Sequence, residues 1–259
     1  MCDSGYDGDR IDMSLTSSHQ GAIVTNLTIS TSPQFFARIA GVFYLFIVGG
    51  IFAEMFVRDR VFVRGDAAAT ANNILAHETL YRAGFVADFL ILIAALVVLY
   101  LLYHLLLRVN RELVLLMAFF NLAGIAIQGA NLLDHMAALT ILKSGATMSA
   151  LDPGQWQALA YLPLRFQSTG YDLALAVFGF FCLVAGYLIY PSRYLPRTLG
   201  VLMVIAGVCY HVNSFIHFPA PQHSLFPFVV LPCLIAELSL TIWLIAKGID
   251  ERKWATWEA

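Results

Sequence analysis

Side chains able to do chemistry interrupt long apolar runs in this chain, where each ionisable group costs at least about 2.5–3.5 kcal/mol near the centre of a membrane helix. The carboxylic acids are Glu54, Asp88, Asp134, Asp172 and Glu237, joined by Arg165 and by the imidazoles of His135, His211 and His217. Gln128, Asn131 and Asn213 add neutral hydrogen-bonding groups. Their spacing is helical. Asn121, Gly124, Gln128, Asn131 and His135 recur at three and four residues and make one stripe, with Asp134 at its flank. Tyr161, Arg165, Ser168 and Asp172 make a second stripe, and Tyr210, Asn213, Ser214 and His217 a third. Three polar stripes cannot all face lipid, so the economical arrangement turns them toward one another around a shared cavity. Those twelve residues, from Glu54 to Glu237, are the candidate ligand lining.

Several chemistries suit such a lining. His135, His211 and His217, with Asp134 or Asp172 close by, have the ligand types of a three-histidine zinc site that keeps a position open for water. Such a site would hydrolyse an ester or amide bond in a lipid, with Asp134 or Glu237 as general base. His211 and His217 stand about 120° apart around their helix, unlike the one-face pair of familiar zinc motifs, and ordinary core histidines account for the same residues. Charge counting adds a constraint. Glu54, Asp88, Asp134, Asp172 and Glu237 outnumber Arg82 and Arg165, so protonation, a metal or a cationic ligand must compensate. In the structural alternative, Asp88 or Asp134 pairs with Arg82 or Arg165, and the amides join helices. No Gly-x-Ser-x-Gly elbow or phosphate-binding glycine loop is present.

The elements that must position these groups are membrane helices. Of 259 residues, 59% are hydrophobic and only 12% charged, which excludes a water-soluble globule. Lys and Arg number 15 against 17 Asp and Glu, which removes the case for a nucleic-acid partner. Six segments have the length and composition of spans: Gln34 to Phe56, Leu80 to Leu107, Glu112 to Ile141, Trp156 to Tyr190, Leu199 to His217 and Leu225 to Lys247. The short basic connections RVNRE and PSRYLPR put both termini in the cytoplasm of a plasma-membrane protein, against an opposite side holding Arg58, Arg60, Arg64 and Lys143. On that topology Glu54, Asp88, Asp134, Asp172 and His217 lie roughly 27–33 Å from the inner end of their spans, His211 about 18 Å and Glu237 about 15 Å.

Smaller features complete the expectation. Residues 1–33 read as a disordered acidic cytoplasmic tail, 34–247 as the six-helix domain and 248–259 as a cytoplasmic tail. Asp66 is placed to cap a short extracytoplasmic helix over Ala67 to Thr79, and Ser224 to cap the sixth span. Pro163 and Pro232 kink the fourth and sixth. Gly49, Gly50, Gly124, Gly129 and Gly186 read as sites of close helix approach. Cys2, Cys182, Cys209 and Cys233 form no Cys-x-x-Cys pair and read as packing residues.

The run ARIAGVFYLFIVGGIFAEMFVRDRVFVRGDAAATANNILAHETLYRAGFVADFL, and above all its piece GDAAATANNI (Gly65 to Ile74), resembles the bacterial and archaeal membrane family known as domain of unknown function 4386, over roughly Phe36 to Lys247. The resemblance implies a prokaryotic polytopic membrane protein and brings no catalytic residues. The expected fold is therefore all-α, a bundle of six transmembrane helices with a short extracytoplasmic helix after the first. Three functions fit it: binding of a small molecule or lipid headgroup in an acid-rich outer cavity, an intramembrane zinc-dependent lipid hydrolase, and a structural or partner-binding bundle.

Overall fold

The computed structural model describes residues 32–145, 147–148, 151–220 and 226–257. The acidic tail and Ser224 lie outside the described residues. Among them the chain forms α1 (Pro33–Val61), α2 (Ala67–Ala76), α3 (Glu78–Leu106), α4 (Arg111–Gly145), α5 (Pro153–Ile189), α6 (Arg197–His217), α7 (Phe226–Ala246) and α8 (Glu251–Ala255). All but α2 and α8 are long and apolar enough to cross a membrane. Their outward faces carry bare aromatic and aliphatic side chains, among them Phe46, Phe89, Phe119, Tyr187, Phe215 and Phe228. Water would not tolerate that surface, but hydrocarbon does.

Each spanning helix packs on its neighbours in the order α1, α3, α4, α5, α6, α7 and back to α1, which closes a ring. Short connections between successive spans favour this antiparallel order. The ring holds two apolar cores. The larger lies at the proximal end, where α1 starts and α7 ends, and includes Tyr44, Leu102, Met117, Phe181, Met203 and Leu240. The smaller lies at the distal end under α2 and includes Val61, Ile74, Tyr81, Leu139 and Leu164. On α1, α3, α4 and α5 the polar candidates fall in sequence between the two cores. Burying the apolar stretches at each end therefore leaves the acids, amides and imidazoles as a layer across the middle and distal part of the bundle.

The proximal end is tied shut by long-range hydrogen bonds. The Gln34 side-chain amide donates to the Lys247 carbonyl at 2.8 Å and accepts from the Ile249 N–H at 2.8 Å. Tyr194 Oη and Trp254 Nε1 both donate to the Leu105 carbonyl, at 2.7 and 3.2 Å, which satisfies an orphan group at the end of α3. The segment expected as a tail thus contains α8, because Asp250 caps it by accepting from the Lys253 N–H. Contact with Lys253, whose Nζ lies 3.0 Å away, holds the Asp250 carboxyl below the usual carboxylate range. The Arg108 guanidinium stacks 4.0 Å from the Trp254 ring centroid and seats the helix.

The segment GDAAATANNI builds the distal cover. Gly65 adopts φ +82°, a left-handed turn that glycine makes without strain, and its N–H donates to Tyr161 Oη at 2.8 Å. Asp66 caps α2 as expected, accepting from the Ala69 N–H at 2.8 Å. Thr70, 1% exposed, donates to the Asp66 carbonyl at 2.7 Å and accepts from the Val63 N–H at 3.0 Å. Asn73 Nδ2 reaches the Val61 carbonyl at 3.3 Å. The polar letters of this segment are accordingly a clip that folds the connection back on itself. The helix stops at Ala76, three residues before the expected Thr79, and α3 begins at Glu78. Thr70→Val should cost about 1 kcal/mol, because it strands the Val63 N–H; unfolding in detergent, followed by tryptophan fluorescence, measures it, while Asn72→Ala on the exposed face should change nothing.

Candidate functional site

The distal ring interior contains a cavity of about 30 Å³, lined from four helices. Glu54 and Arg58 stand one turn apart on α1, Tyr81 and Gly84 come from α3, His135 from α4, and Leu164 and Gln167 from α5. This volume admits a few water-sized groups. Asp88, one turn beyond Gly84 on α3, lies close enough to Glu54 and Arg58 to interact with their charges. The local charge is therefore two carboxyl groups against one guanidinium.

His135 is fixed by a reciprocal pair of bonds. Tyr81 Oη donates to the His135 carbonyl at 2.6 Å, and His135 Nε2 lies 3.0 Å from the Tyr81 carbonyl. A carbonyl only accepts, so Nε2 carries a hydrogen. The two rings lie with centroids 4.1 Å apart and planes tilted by 32°. The other ring nitrogen, Nδ1, faces Gln167 Nε2 at 3.4 Å. With Nε2 committed to a carbonyl, His135 offers the chamber only its Nδ1 side.

The twelve candidates do not share one cavity. Glu54 and His135 line the distal chamber, and Asp88 adjoins it. Asp172 Oδ2 and His217 Nε2 meet at 3.2 Å and join α5 to α6. Asn131 Nδ2 donates to Gln128 Oε1 at 2.7 Å within α4, and the Asn131 amide presses on the backbone of α5 at Gly170. Asp134 and Asn213 are half-buried, and Arg165 is exposed. Among the described residues neither Asp134 nor Arg165 has an ion pair. Arg82, expected near Asp88 or Asp134, instead binds Glu78 at 2.8 Å, and Lys143 binds the same carboxylate at 2.7 Å.

The zinc reading needs His135, His211 and His217 together, and they are apart. His135 bonds to Tyr81, His217 to Asp172, and His211 directs Nδ1 to the Gly207 carbonyl at 2.7 Å within its own helix. The His211 ring packs against Phe180 at 4.2 Å. Among the described residues no three His, Cys, Asp or Glu side chains gather as metal ligands. Each imidazole is engaged elsewhere: His135 with α3, His217 with α5 and His211 with the backbone of its own helix.

Glu237 forms a third environment, deeper in the bundle. It is 8% exposed and accepts a 2.6 Å bond from Tyr210 Oη on α6. Tyr44, from α1, points its hydroxyl toward the same carboxylate without completing a hydrogen bond. Tyr171 lies between this group and the chamber, near enough to feel Glu54, Arg58, Asp172 and Glu237. Arg58, Tyr44, Tyr81, Gln167 and Tyr171 are absent from the sequence-derived set. Arg58 reads there as a topology signal, and tyrosines count among the hydrophobic residues.

Six apolar helices in a closed ring, with a polar layer between two apolar cores, define a multi-pass membrane protein. The chain belongs to the family described as Domain of unknown function (DUF4386), whose model matches residues 39–248. It is similar to an uncharacterized protein of Archaeoglobus fulgidus, 30% identical over 79 residues, covering 30% of this chain and 45% of that protein. The chain thus matches less than half the length of that relative. No solved structure matches.

Proposed function

We propose that this protein resides in the plasma membrane with both termini in the cytoplasm and binds a small polar molecule in the distal chamber. The supporting observation is the pairing of Glu54 and Arg58 on one face of α1, opposite His135 and Gln167, around a cavity of about 30 Å³. An acid and a guanidinium one turn apart suit a solute that carries a donor at one end and an acceptor at the other. The small volume favours a free solute of few atoms over a lipid headgroup. The distal clip and α2 would cover such a solute, and the lining would recognise it through fixed groups.

Mass spectrometry of extracts from protein purified in mild detergent tests this. A small molecule enriched at least tenfold over a Glu54→Leu, Gln167→Leu double variant of equal melting temperature is the expected outcome, and identical extracts overturn it. A structural bundle is the second reading, favoured by the internally satisfied Tyr81–His135 and Gln128–Asn131 pairs. It requires that the same double substitution alter melting alone.

A further inference from the structure

Glu237 poses a separate problem. Its carboxyl group is buried between α7, α6 and α1, and the groups facing it are Tyr210, Tyr44, Cys182 and Cys233. None of these is a cation, and among the described residues Glu237 joins no salt bridge. A second observation concerns two buried hydroxyls. Tyr44 Oη and Thr241 Oγ1 are both fully shielded from solvent and have no hydrogen-bond partner, although their residues are 4% and 0% exposed. Thr241 follows Glu237 by one turn on α7 and shares its face, and Tyr44 approaches the same carboxylate from α1. Buried hydroxyls are rarely left unpaired. Here one approaches a buried acid lacking a counter-charge, and the other stands one turn from that acid on α7.

We propose that Glu237, Tyr44, Tyr210 and Thr241 form a mid-membrane site for one dehydrated alkali-metal cation. One carboxylate matches a single positive charge, and hydroxyl and carboxylate oxygens are the hard ligands that such ions take. The lone pairs of Tyr44 Oη and Thr241 Oγ1 would complete the shell. Tyr210 would keep its hydrogen on Glu237 while offering a lone pair to the ion. The site is distinct from the distal chamber, because no chamber-lining residue contributes an oxygen to it.

The test is the melting temperature of detergent-purified protein titrated with sodium, potassium or lithium chloride against choline chloride at equal ionic strength. A ligand that binds only the folded state raises melting as its concentration rises. At least one alkali ion should do so saturably, and choline should not. Thr241→Val and Tyr44→Phe should each move the half-saturating concentration upward by about tenfold, while melting in choline stays equal or rises, since each removes an unpaired buried hydroxyl. Glu237→Gln should abolish the response. Gln167→Leu in the distal chamber should leave it intact, which separates this site from the proposed solute site. Equal melting of the wild type in all four salts overturns the proposal, as does a response to pH alone, which would identify a proton-only site. An alkali response unchanged in both Thr241→Val and Tyr44→Phe overturns it too, and these two variants decide even where Glu237→Gln does not fold.

Discussion

Gly186→Leu is expected to destabilise the bundle by about 3 kcal/mol, the upper end of the usual overpacking penalty, because the obstacle is backbone and not a yielding side chain. A Cβ at Gly186 would lie 2.5 Å from the Gly200 carbonyl oxygen and 2.8 Å from the Val204 nitrogen. The contact is mutual, since a Cβ at Gly200 would lie 2.7 Å from the Gly186 carbonyl oxygen. Two turns along, Gly179 faces Gly207 in the same way, a Cβ on Gly207 meeting the Gly179 carbonyl oxygen at 2.8 Å. Glycines seven apart on α5 thus mesh with glycines seven apart on the antiparallel α6, and the backbones approach as only small residues permit. Gly49→Leu is the control, with nothing within 4 Å of its added Cβ; it should match the wild type or gain up to about 1 kcal/mol in helix propensity. Thermal unfolding in one detergent compares the pair, and equal midpoints would contradict this packing of α5 on α6.

The same glycines show what the sequence could and could not reveal. Gly186 was expected at a close approach and is at one, whereas Gly49, expected likewise, meets nothing. A glycine's role depends on what lies opposite, and periodicity within one helix carries no information about the neighbour. Spans were legible because about 20 apolar residues in a row suffice to cross hydrocarbon, and the six helices fall where composition put them, a few residues longer at several ends. The α4 stripe was legible too: Asn121, Asn131 and His135 are buried. The shared cavity was not, because it assumed that stripes on α4, α5 and α6 could face one another. The α4 stripe instead engages α3 through Tyr81 and α5 at Gly170, while His217 of α6 engages Asp172 of α5. The distal chamber joins residues of α4 and α5 to a wall from α1 and α3, through Arg58 and Tyr81. The three imidazoles of the metal expectation make separate contacts, which spacing within one helix does not reveal, while the capping role of Asp66 was legible because capping is local in sequence.

Tyr210→Phe carries the second large effect, about 2–3 kcal/mol lost in choline buffer, since it removes the 2.6 Å bond that the Glu237 carboxyl accepts and leaves a buried acid less satisfied. The sign of the companion changes is what makes the experiment informative. Glu237→Leu removes the acid and its desolvation cost together, so the variant should lose only the smaller penalty of an orphaned Tyr210 hydroxyl, about 1 kcal/mol. Joining the two substitutions removes donor and acceptor at once and substitutes apolar volume in a mid-membrane position, so the double variant should fall within about 1 kcal/mol of the wild type. The single losses therefore should not add, and the cycle should show a coupling of at least about 2 kcal/mol between α6 and α7. Additive losses would mean that the two side chains act independently. A double variant more stable than the wild type, yet deaf to alkali ions, would show that Glu237 is retained at a cost in stability for the ion it holds.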